Sequence, residues 1–324
     1  MTDPLLEVRN LTIEFETETG RVRAVEDVSF TVDRGETVGL VGESGCGKTT
    51  TALGILRLLP PTGRIVSGEA IFDGCDLFQI GTSELRRLRW ARLAMVFQGA
   101  MNALNPVQTV GAQIAEAIRL HAPSATARQA TARAEDLLGL VGIHGGRARS
   151  YPHEYSGGMR QRAMIALALA CDPDIIFADE PTTALDVMVQ AQILELLADL
   201  QSRLGMGLVL VTHDLGVVAE VCDRVVVMYG GVVAEDATTE ELFNAPRHPY
   251  TRLLLEASPD INVPRDRLTS IPGFPPRLDA LPPGCRFEPR CPHAFERCRQ
   301  AQPAAFVLGH RRRAACYLVE AAPS

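Results

Sequence analysis

The sequence predicts an α/β fold built on a mainly parallel sheet whose two faces are covered by helices. Between residues 150 and 230, segments with helical periodicity alternate with short apolar runs typical of buried strands. Because parallel strands need crossover connections, this alternation indicates a parallel sheet. The segments are helices at 158–170 and 187–204 and strands at 175–178, 208–212 and 224–229.

Three further regions complete the predicted organisation. The first 40 residues alternate apolar and polar side chains, as strands of a half-buried antiparallel sheet do, with a turn at Thr19–Gly20. Residues 99–160, approximately, are mostly helical in pattern and predict a helical subdomain. More than half of the 21 prolines follow residue 245, too many for a continuing sheet. We predict one domain over 1–248 and a small Cys- and Pro-rich domain over 249–324.

The composition excludes several classes of function. The chain has 324 residues and a formal net charge of −7, whereas nucleic-acid binders are usually basic, so we expect no nucleic-acid partner. The first residues, MTDPLLEVRN, lack the apolar core of a secretory signal, and no uninterrupted apolar run is long enough to span a bilayer. We therefore expect a cytosolic chain that does not itself cross a membrane.

A phosphate-binding loop is the strongest motif, at residues 42–49, Gly-Glu-Ser-Gly-Cys-Gly-Lys-Thr. It follows the apolar run 37–41 and precedes a helical segment, which is the setting that this motif requires. Glycines let successive backbone N–H groups face phosphate oxygens, and the helix N-terminus adds the positive end of its dipole. Lys48 would supply charge to the β- and γ-phosphates, and the Thr49 hydroxyl would bind Mg²⁺.

Two carboxylates, Asp179 and Glu180, end the apolar run 175–178. Acids at the carboxyl end of a central parallel strand lie at the edge where such sheets bind ligands. We predict that Asp179 holds Mg²⁺ and that Glu180 polarises the attacking water. A solvated acidic turn would explain the pair taken alone, but a P-loop in the same chain favours the catalytic interpretation.

Further motifs surround these two in a fixed order. They are Gln98, Tyr155–Gln161 (Tyr-Ser-Gly-Gly-Met-Arg-Gln), Ala184–Asp186 (Ala-Leu-Asp) and His213. Taken singly, Gln98 is typical of a surface amide, His213 of a structural histidine and Phe15 of a core aromatic. Together the set resembles the ATP-binding-cassette (ABC) ATPases, with a Q-loop, signature, D-loop and switch histidine. The resemblance implies a P-loop NTPase (RecA-like) nucleotide-binding domain with an antiparallel β subdomain and a helical subdomain.

The same resemblance implies a role for each matching residue. ATP would be held between the P-loop of one protomer and the signature of another, and Phe15 would stack on adenine. Catalysis would involve Lys48, Gln98, Glu180 and His213, and Mg²⁺ would be bound by Thr49, Gln98 and Asp179. The residues expected to contact ATP are Phe15, Gly42, Ser44, Gly45, Cys46, Gly47, Lys48, Thr49, Thr50, Gln98, Ser156, Gly157, Gly158, Asp179 and Asp186. Because no catalytic position is missing, we expect hydrolysis and not mere binding.

Finer details resemble the ATP-binding subunits of dipeptide and oligopeptide importers, over essentially the whole chain. They are the signature, His248–Thr251 (His-Pro-Tyr-Thr) and Leu281–Phe287. The D-type subunit fits better than the F-type, because the opening lacks the longer basic insertion of the F-type. This implies an ATPase at the cytoplasmic face of the inner cell membrane, peripheral, coupling ATP-driven dimerisation to transport. Its partners would be an F-type ATPase subunit in a heterodimer, two transmembrane permease subunits and, indirectly, a substrate-binding protein.

Other functions stay open at this point. Relatives of this kind also import nickel or oligosaccharides, and nothing in the chain distinguishes these cargoes. A soluble cassette ATPase acting on DNA or ribosomes is disfavoured. Only one P-loop is present, and the stretch between Thr49 and Ser156 lacks the sustained heptads of a coiled coil.

Four of the eight cysteines lie close together near the end of the chain, at Cys285, Cys291, Cys298 and Cys316. Small proline-rich segments build little core and usually need a covalent or metal staple. Disulfides are disfavoured in a reducing cytosol, whereas zinc, which prefers closer cysteine pairs, and metal-free packing stay open. The peptide-importer resemblance favours a 4Fe–4S cluster held by four thiolates, with a structural or regulatory role.

Overall fold

The structure is a computed structural model that describes residues 3–18, 20–99, 103–183, 185–257 and 270–320. The chain divides into two units: the first joins Met1–Gln79 to Val211–Ser324, and the second is Ile80–Leu210. The first unit therefore contains the P-loop, and the second contains the acidic pair and the signature. The strands are β1 (Leu6–Thr17), β2 (Gly20–Val32), β3 (Thr37–Val41), β4 (Gly63–Phe72), β5 (Cys75–Asp76), β6 (Leu93–Val96), β7 (Ile175–Asp179), β8 (Gly207–Thr212), β9 (Arg224–Tyr229), β10 (Val232–Thr238), β11 (Phe306–Gly309) and β12 (Arg312–Ala314).

Helices occur in both units. They are α1 (Lys48–Ile55), α2 (Thr82–Leu88), α3 (Val110–His121), α4 (Ala127–Leu140), α5 (Gly157–Ala168), α6 (Val187–Leu204), α7 (Leu215–Val221), α8 (Thr239–Asn244), α9 (Pro249–Ala257), α10 (Glu296–Gln300) and α11 (Tyr317–Glu320). Among the described residues, no helix combines the length and the hydropathy that a bilayer-spanning segment needs.

An antiparallel sheet with strand order β2-β1-β4-β5 forms one part of the first unit. Strands β1 and β2 pair along their length, with Leu6 opposite Val32 and Thr17 opposite Gly20. Their alternating pattern buries one face, so that Leu6 and Ile13 are inaccessible to solvent. The antiparallel subdomain predicted from this alternation is confirmed, although Thr19 of the predicted turn lies outside the described residues.

The second sheet of this unit contains the strand that leads into the P-loop. Strands β3 and β9 run parallel, with Val38 opposite Arg224 and Val41 opposite Val227. Strands β10, β12 and β11 continue the sheet in antiparallel fashion. Both β3 and β9 are buried at every residue, as expected of strands covered on two faces.

The second unit contains a parallel pair of strands and a group of helices. Leu93 of β6 lies opposite Ile175 of β7, and Val96 lies opposite Ala178. Helix α3 packs against α4, and α4 packs against α5. Helices α3 and α4 lie within the predicted helical subdomain, which is thereby confirmed. The predicted limits of that subdomain stay a prediction.

An aromatic cluster, defined as Tyr229, His248, Tyr250 and Phe287, packs the C-terminal part of the chain into the first unit. The ring centroid of Tyr229 lies 4.5 Å from that of Tyr250 and 5.1 Å from that of Phe287. Tyr250 and Phe287 are buried, and aromatic pairs at such distances stabilise a core beyond the area that they bury. The predicted domain boundary between residues 248 and 249 stays a prediction, and this cluster has members on both sides of it.

Burial of His248 predicts an acid-sensitive fold. The desolvation of its imidazole lowers its pKa from 6.5 to about 4, against the opposing effect of a hydrogen bond with the Ala315 backbone. As the pH falls, His248 is therefore protonated in the unfolded chain before it is protonated in the folded chain. Its contribution to stability is complete above pH 6.5 and is lost as the pH falls toward 4. We expect the free energy of unfolding to fall by about 2 kcal/mol from this group between pH 7.5 and pH 5. Urea denaturation at the two pH values measures the change.

His310, an exposed histidine of the same unit, provides the matched control. The fall should shrink in His248→Gln and persist in His310→Gln. Equal acid sensitivity in wild type and His248→Gln would contradict the expectation.

Candidate functional site

The P-loop between β3 and α1 approaches β9 so closely that a side chain at its first glycine is excluded. Gly42 has a φ of +148°, and a Cβ there would lie 2.1 Å from the Met228 carbonyl oxygen. Gly45 and Gly47 also have positive φ values. The carbonyl of Gly47 accepts hydrogen bonds from the N–H and the hydroxyl of Thr51 at 2.8 and 2.9 Å. The turn therefore depends on glycine where the sequence motif places it.

Lys48 is the only lysine among the chain's 32 basic residues. It is 6% exposed, and its Nζ donates hydrogen bonds to the carbonyl oxygens of Gly42 and Glu43 at 2.7 and 3.1 Å. The Cys46 sulfur lies 3.7 Å from Nζ. Burial raises the pKa of the Cys46 thiol, and the nearby ammonium only partly opposes this. The thiol stays neutral, so the charge of Lys48 is not cancelled.

The other predicted nucleotide contacts of the P-loop lie around Lys48. Ser44 and Gly45 are exposed at the tip of the loop, whereas Cys46 and Gly47 are buried beneath it. Thr49 and Thr50 are half-buried in the first turn of α1. Hydroxyls, a helix N-terminus and one ammonium are thus gathered in one loop, and this set of donors fits a triphosphate with a divalent cation.

Phe15 and His213 complete the predicted residues of the first unit. Phe15 is half-buried near the end of β1, and a Cβ at Gly63 would lie 2.8 Å from its Cε1 atom. The Phe15 ring therefore packs against Gly63, where a larger side chain would collide with it. His213 follows β8 and is exposed, and the next residue, Asp214, caps α7 by accepting the Gly216 N–H at 2.9 Å.

Asp179 and Glu180 lie at the carboxyl end of β7 in the second unit. Asp179 is 2% exposed, which places a carboxylate at the end of an otherwise apolar strand. The Glu180 side chain accepts hydrogen bonds on Oε2 from Gln98 Nε2 at 2.6 Å and from the Thr183 hydroxyl at 2.9 Å. Glu180 also has a φ of +43°, a conformation that costs a non-glycine residue about 1 kcal/mol or more. This carboxylate is held in a defined orientation on a strained backbone.

The signature forms the N-terminus of α5, a helix of 12 residues. Ser156 is exposed and caps the helix by accepting the Met159 N–H at 3.3 Å. Gly157 and Gly158 follow, and a Cβ at Gly158 would lie 2.7 Å from Val189 Cγ1. Asp186 caps α6 by accepting the Val189 N–H at 3.0 Å. Ala184 of the predicted D-loop lies outside the described residues.

Sequence reasoning grouped Gln98 with Glu180, and the structure brings these two together. Thr183 was not predicted from the sequence, although a hydroxyl three residues after a carboxylate in a turn commonly donates a hydrogen bond to that carboxylate. Sequence reasoning also missed Tyr250 and Arg290, which contact Glu43 of the P-loop. No local spacing connects Arg290 with a residue 247 positions earlier.

The chain is similar to the ATP-binding proteins of transporters and to solved structures of ATP-binding cassettes. The family described as "ABC transporter" matches residues 25–183, and that described as "Oligopeptide/dipeptide transporter, C-terminal region" matches residues 234–298. The chain is 50% identical to the probable peptide ABC transporter ATP-binding protein y4tR of Sinorhizobium fredii, over 97% of this chain and 95% of that protein. It is 48% identical to the dipeptide transport ATP-binding protein DppD of Escherichia coli, over 97% and 96%. A dimeric ATP-binding cassette in a post-hydrolysis state, bound to ADP and Pi, matches with a TM-score of 0.66 at 28% identity, over 72% and 98%.

The chain belongs to the ABC transporter family. This membership confirms the predicted fold, an ABC nucleotide-binding domain with antiparallel and helical subdomains. It also confirms that the protein is an ATPase. The residues of this ABC ATPase that contact the nucleotide stay predictions, and the geometry described above supports them.

The prediction of a 4Fe–4S cluster in this ABC protein is wrong. Among the described residues, no group of three or more His, Cys, Asp or Glu side chains is arranged to hold a metal ion, which leaves zinc without support as well. Cys285, Cys291, Cys298 and Cys316 are free thiols around one cavity of about 10 Å³. Burial raises the pKa of Cys285 to about 12 and that of Cys316 to about 11. These two thiols are therefore neutral at pH 7.

Removing the charge of Glu180 tests its role in this ABC ATPase. We expect Glu180→Gln to lower the rate of ATP hydrolysis by about 100-fold or more, because an amide cannot accept a proton from water. ATP binding should persist, because the amide keeps the size of the side chain. Phosphate release and the binding of a fluorescent ATP analogue measure the two effects.

Glu195→Gln is the matched control, since Glu195 is an exposed residue of α6. It should retain the wild-type rate. Hydrolysis by Glu180→Gln at a rate close to that of Glu195→Gln would exclude Glu180 as the catalytic carboxylate.

Proposed function

We propose that this ABC ATPase is the ATP-hydrolysing subunit of an importer for dipeptides or oligopeptides. One observation carries the proposal: about half of the residues are identical, over nearly the full length of both chains, to proteins named for peptide and dipeptide transport. The cassette alone would support only an ATPase of unspecified use. The match at residues 234–298 supports the peptide assignment, because it lies beyond the cassette match and carries its own description.

The P-loop supplies the proposed phosphate site. Lys48 would exchange the carbonyl oxygens of Gly42 and Glu43 for β- and γ-phosphate oxygens, which are stronger acceptors because they are charged. Bound Mg²⁺ would neutralise phosphate charge, with Thr49, Gln98 and Asp179 as its protein ligands. Asp179 suits this role, since it places a carboxylate at the carboxyl end of β7, and carboxylate oxygens are ligands that Mg²⁺ accepts. The further nucleotide contacts proposed are Phe15, Ser44, Gly45, Cys46, Gly47, Thr50, Ser156, Gly157, Gly158 and Asp186.

Glu180 is the proposed base that orients the attacking water. Its carboxylate is fixed by Gln98 and Thr183, so the direction of its lone pairs is set before water arrives. His213 is proposed to stabilise charge on the γ-phosphate, as the switch histidine of the family does. Hydrolysis then needs positioning and charge stabilisation but no covalent intermediate.

The proposed working state is a dimer with an F-type ATPase subunit, bound to two permease subunits at the cytoplasmic face of the membrane. The N-terminus of α5 supports this, because Ser156 is exposed there and, with the two following glycines, would offer a second helix end to an anion. In a dimer this end would face the nucleotide of the partner subunit. A substrate-binding protein would deliver the cargo to the permease.

Lys48 offers a direct test of the ATPase, because it is the only side-chain amine of the chain. We expect Lys48→Met to lower MgATP hydrolysis by about 100-fold or more, through the loss of charge at the phosphates. In the wild type, saturating ATP should also slow the acetylation of Lys48, which peptide mass spectrometry measures without interference from other lysines.

Arg203→Gln is the control, since Arg203 is an exposed basic residue of α6 that forms an ion pair with its neighbour Asp199 at 3.0 Å. Its hydrolysis should match the wild type. Wild-type hydrolysis that does not depend on Lys48, or acetylation unaffected by ATP, would overturn the proposal.

The cargo is tested with the complete transporter. We expect the complex with its permease subunits and binding protein, reconstituted in liposomes, to hydrolyse ATP faster when alanyl-alanine is added. Nickel ions and maltotriose, the alternative classes of cargo, should leave the rate unchanged. Stimulation by either of these and not by the dipeptide would reassign the cargo while leaving the ATPase intact.

A further inference from the structure

Arg290 lies beside the P-loop, although it belongs to the C-terminal cysteine-rich segment. Its two terminal nitrogens donate to the two carboxylate oxygens of Glu43, at 2.7 and 3.0 Å. This paired arrangement is the strongest geometry for an arginine and a carboxylate, because both hydrogen bonds are charge-assisted and parallel. The Arg290 side chain is 5% exposed and that of Glu43 is 22% exposed, so solvent weakens the pair little.

The remaining donors of Arg290 are also used. Nε donates to the Pro272 carbonyl at 2.7 Å, and further hydrogen bonds reach the Tyr229 hydroxyl at 3.3 Å and the Ile271 carbonyl at 3.4 Å. Burial by itself would lower the pKa of Arg290, but the hydrogen bonds with Glu43 and Tyr229 outweigh it, and the pKa is raised. The guanidinium is therefore charged and held on all sides by the first unit.

Glu43 is consequently held at three points. Arg290 holds its carboxylate, and the hydroxyl of Tyr250 accepts its N–H at 2.9 Å. Its carbonyl oxygen accepts from Lys48 Nζ at 3.1 Å. The residue that Arg290 fixes is thus the same residue whose carbonyl determines where the ammonium of Lys48 lies.

We propose that Arg290 is a positioning residue of the nucleotide site, which acts through Glu43 to hold the P-loop in the conformation that receives ATP. The inference rests on the proposed function, since it names a further residue for the same site. Its consequence is a link between the C-terminal segment and ATP affinity. A loop that is not held must be ordered when ATP binds, and this ordering reduces affinity.

The effect falls on binding and not on the chemical step. Arg290 contacts the P-loop through Glu43, and its other hydrogen bonds go to Pro272, Tyr229 and Ile271. Loss of such a contact weakens the bound ground state and the transition state alike, so KM rises while kcat is retained. If Arg290 served only to stabilise the fold, its loss would lower the free energy of unfolding but would not raise KM while leaving kcat unchanged.

A double-mutant cycle measures the link in the complete chain. We expect Arg290→Gln and Glu43→Gln each to raise the KM for ATP by about tenfold, with kcat changed by less than about threefold. The double variant should be no worse than either single one, because both remove the same contact. Arg290→Lys should recover part of the affinity, since it keeps the charge but not the paired geometry.

Acetylation of Lys48 gives an independent readout, because Lys48 is the only lysine. Without nucleotide, Arg290→Gln should raise the acetylation rate several-fold, as the carbonyl oxygens that hold the ammonium become less ordered. Urea denaturation of each variant ensures that the reactive population is folded. Should Arg290→Gln fail to fold, Glu43→Gln and Arg290→Lys carry the same comparison.

Arg277→Gln is the matched control. Arg277 belongs to the same segment and also forms an ion pair, with Asp279 at 2.6 Å, but its side chain is 81% exposed. Its KM and its Lys48 acetylation rate should equal those of the wild type.

Two kinds of failure are distinguishable. Wild-type protein that does not hydrolyse MgATP through Lys48 would overturn the proposed function. Wild-type hydrolysis with a KM that stays within about twofold in folded Arg290→Gln and Glu43→Gln, together with unchanged acetylation, would overturn only the role of Arg290.

Discussion

A loop that binds phosphate must turn its donors toward an anion, and this requires that its own oxygens find partners elsewhere. In this ABC protein the carbonyls of Gly42 and Glu43 accept from Lys48, and that of Gly47 accepts from Thr51. The Cys46 carbonyl accepts from the N–H of Gly231, just beyond β9. The loop therefore depends on close contact with β9, which only a residue without a Cβ permits at position 42. Packing of the core and binding of the nucleotide are thus parts of one arrangement.

The features that could be predicted from the sequence are those whose information is local. The apolar run at 37–41, the spacing of the glycines and the helix that follows define the P-loop within a short stretch of chain. The alternation of β1 and β2 likewise predicts an antiparallel sheet without reference to any other segment. Glu180 could be singled out because it ends an apolar strand in a chain that also contains a P-loop, and its role stays a prediction.

The features that could not be predicted depend on contacts between distant segments or on exact geometry. Arg290 meets Glu43 only because the chain folds back, and no periodicity records that contact. The number of cysteines can be read from the sequence, but it does not say whether their side chains are arranged as metal ligands. In the structure Cys285 and Cys316 lie where burial disfavours the charged form. The cluster was predicted from the resemblance to peptide importers, and the arrangement of these four side chains does not support it.

The left-handed backbone at Glu180 has a consequence for how this position can change. Glycine or asparagine would adopt that conformation with less backbone strain. Neither provides a carboxylate at the end of β7. Relief of backbone strain and the supply of a carboxylate therefore make opposite demands on this single residue.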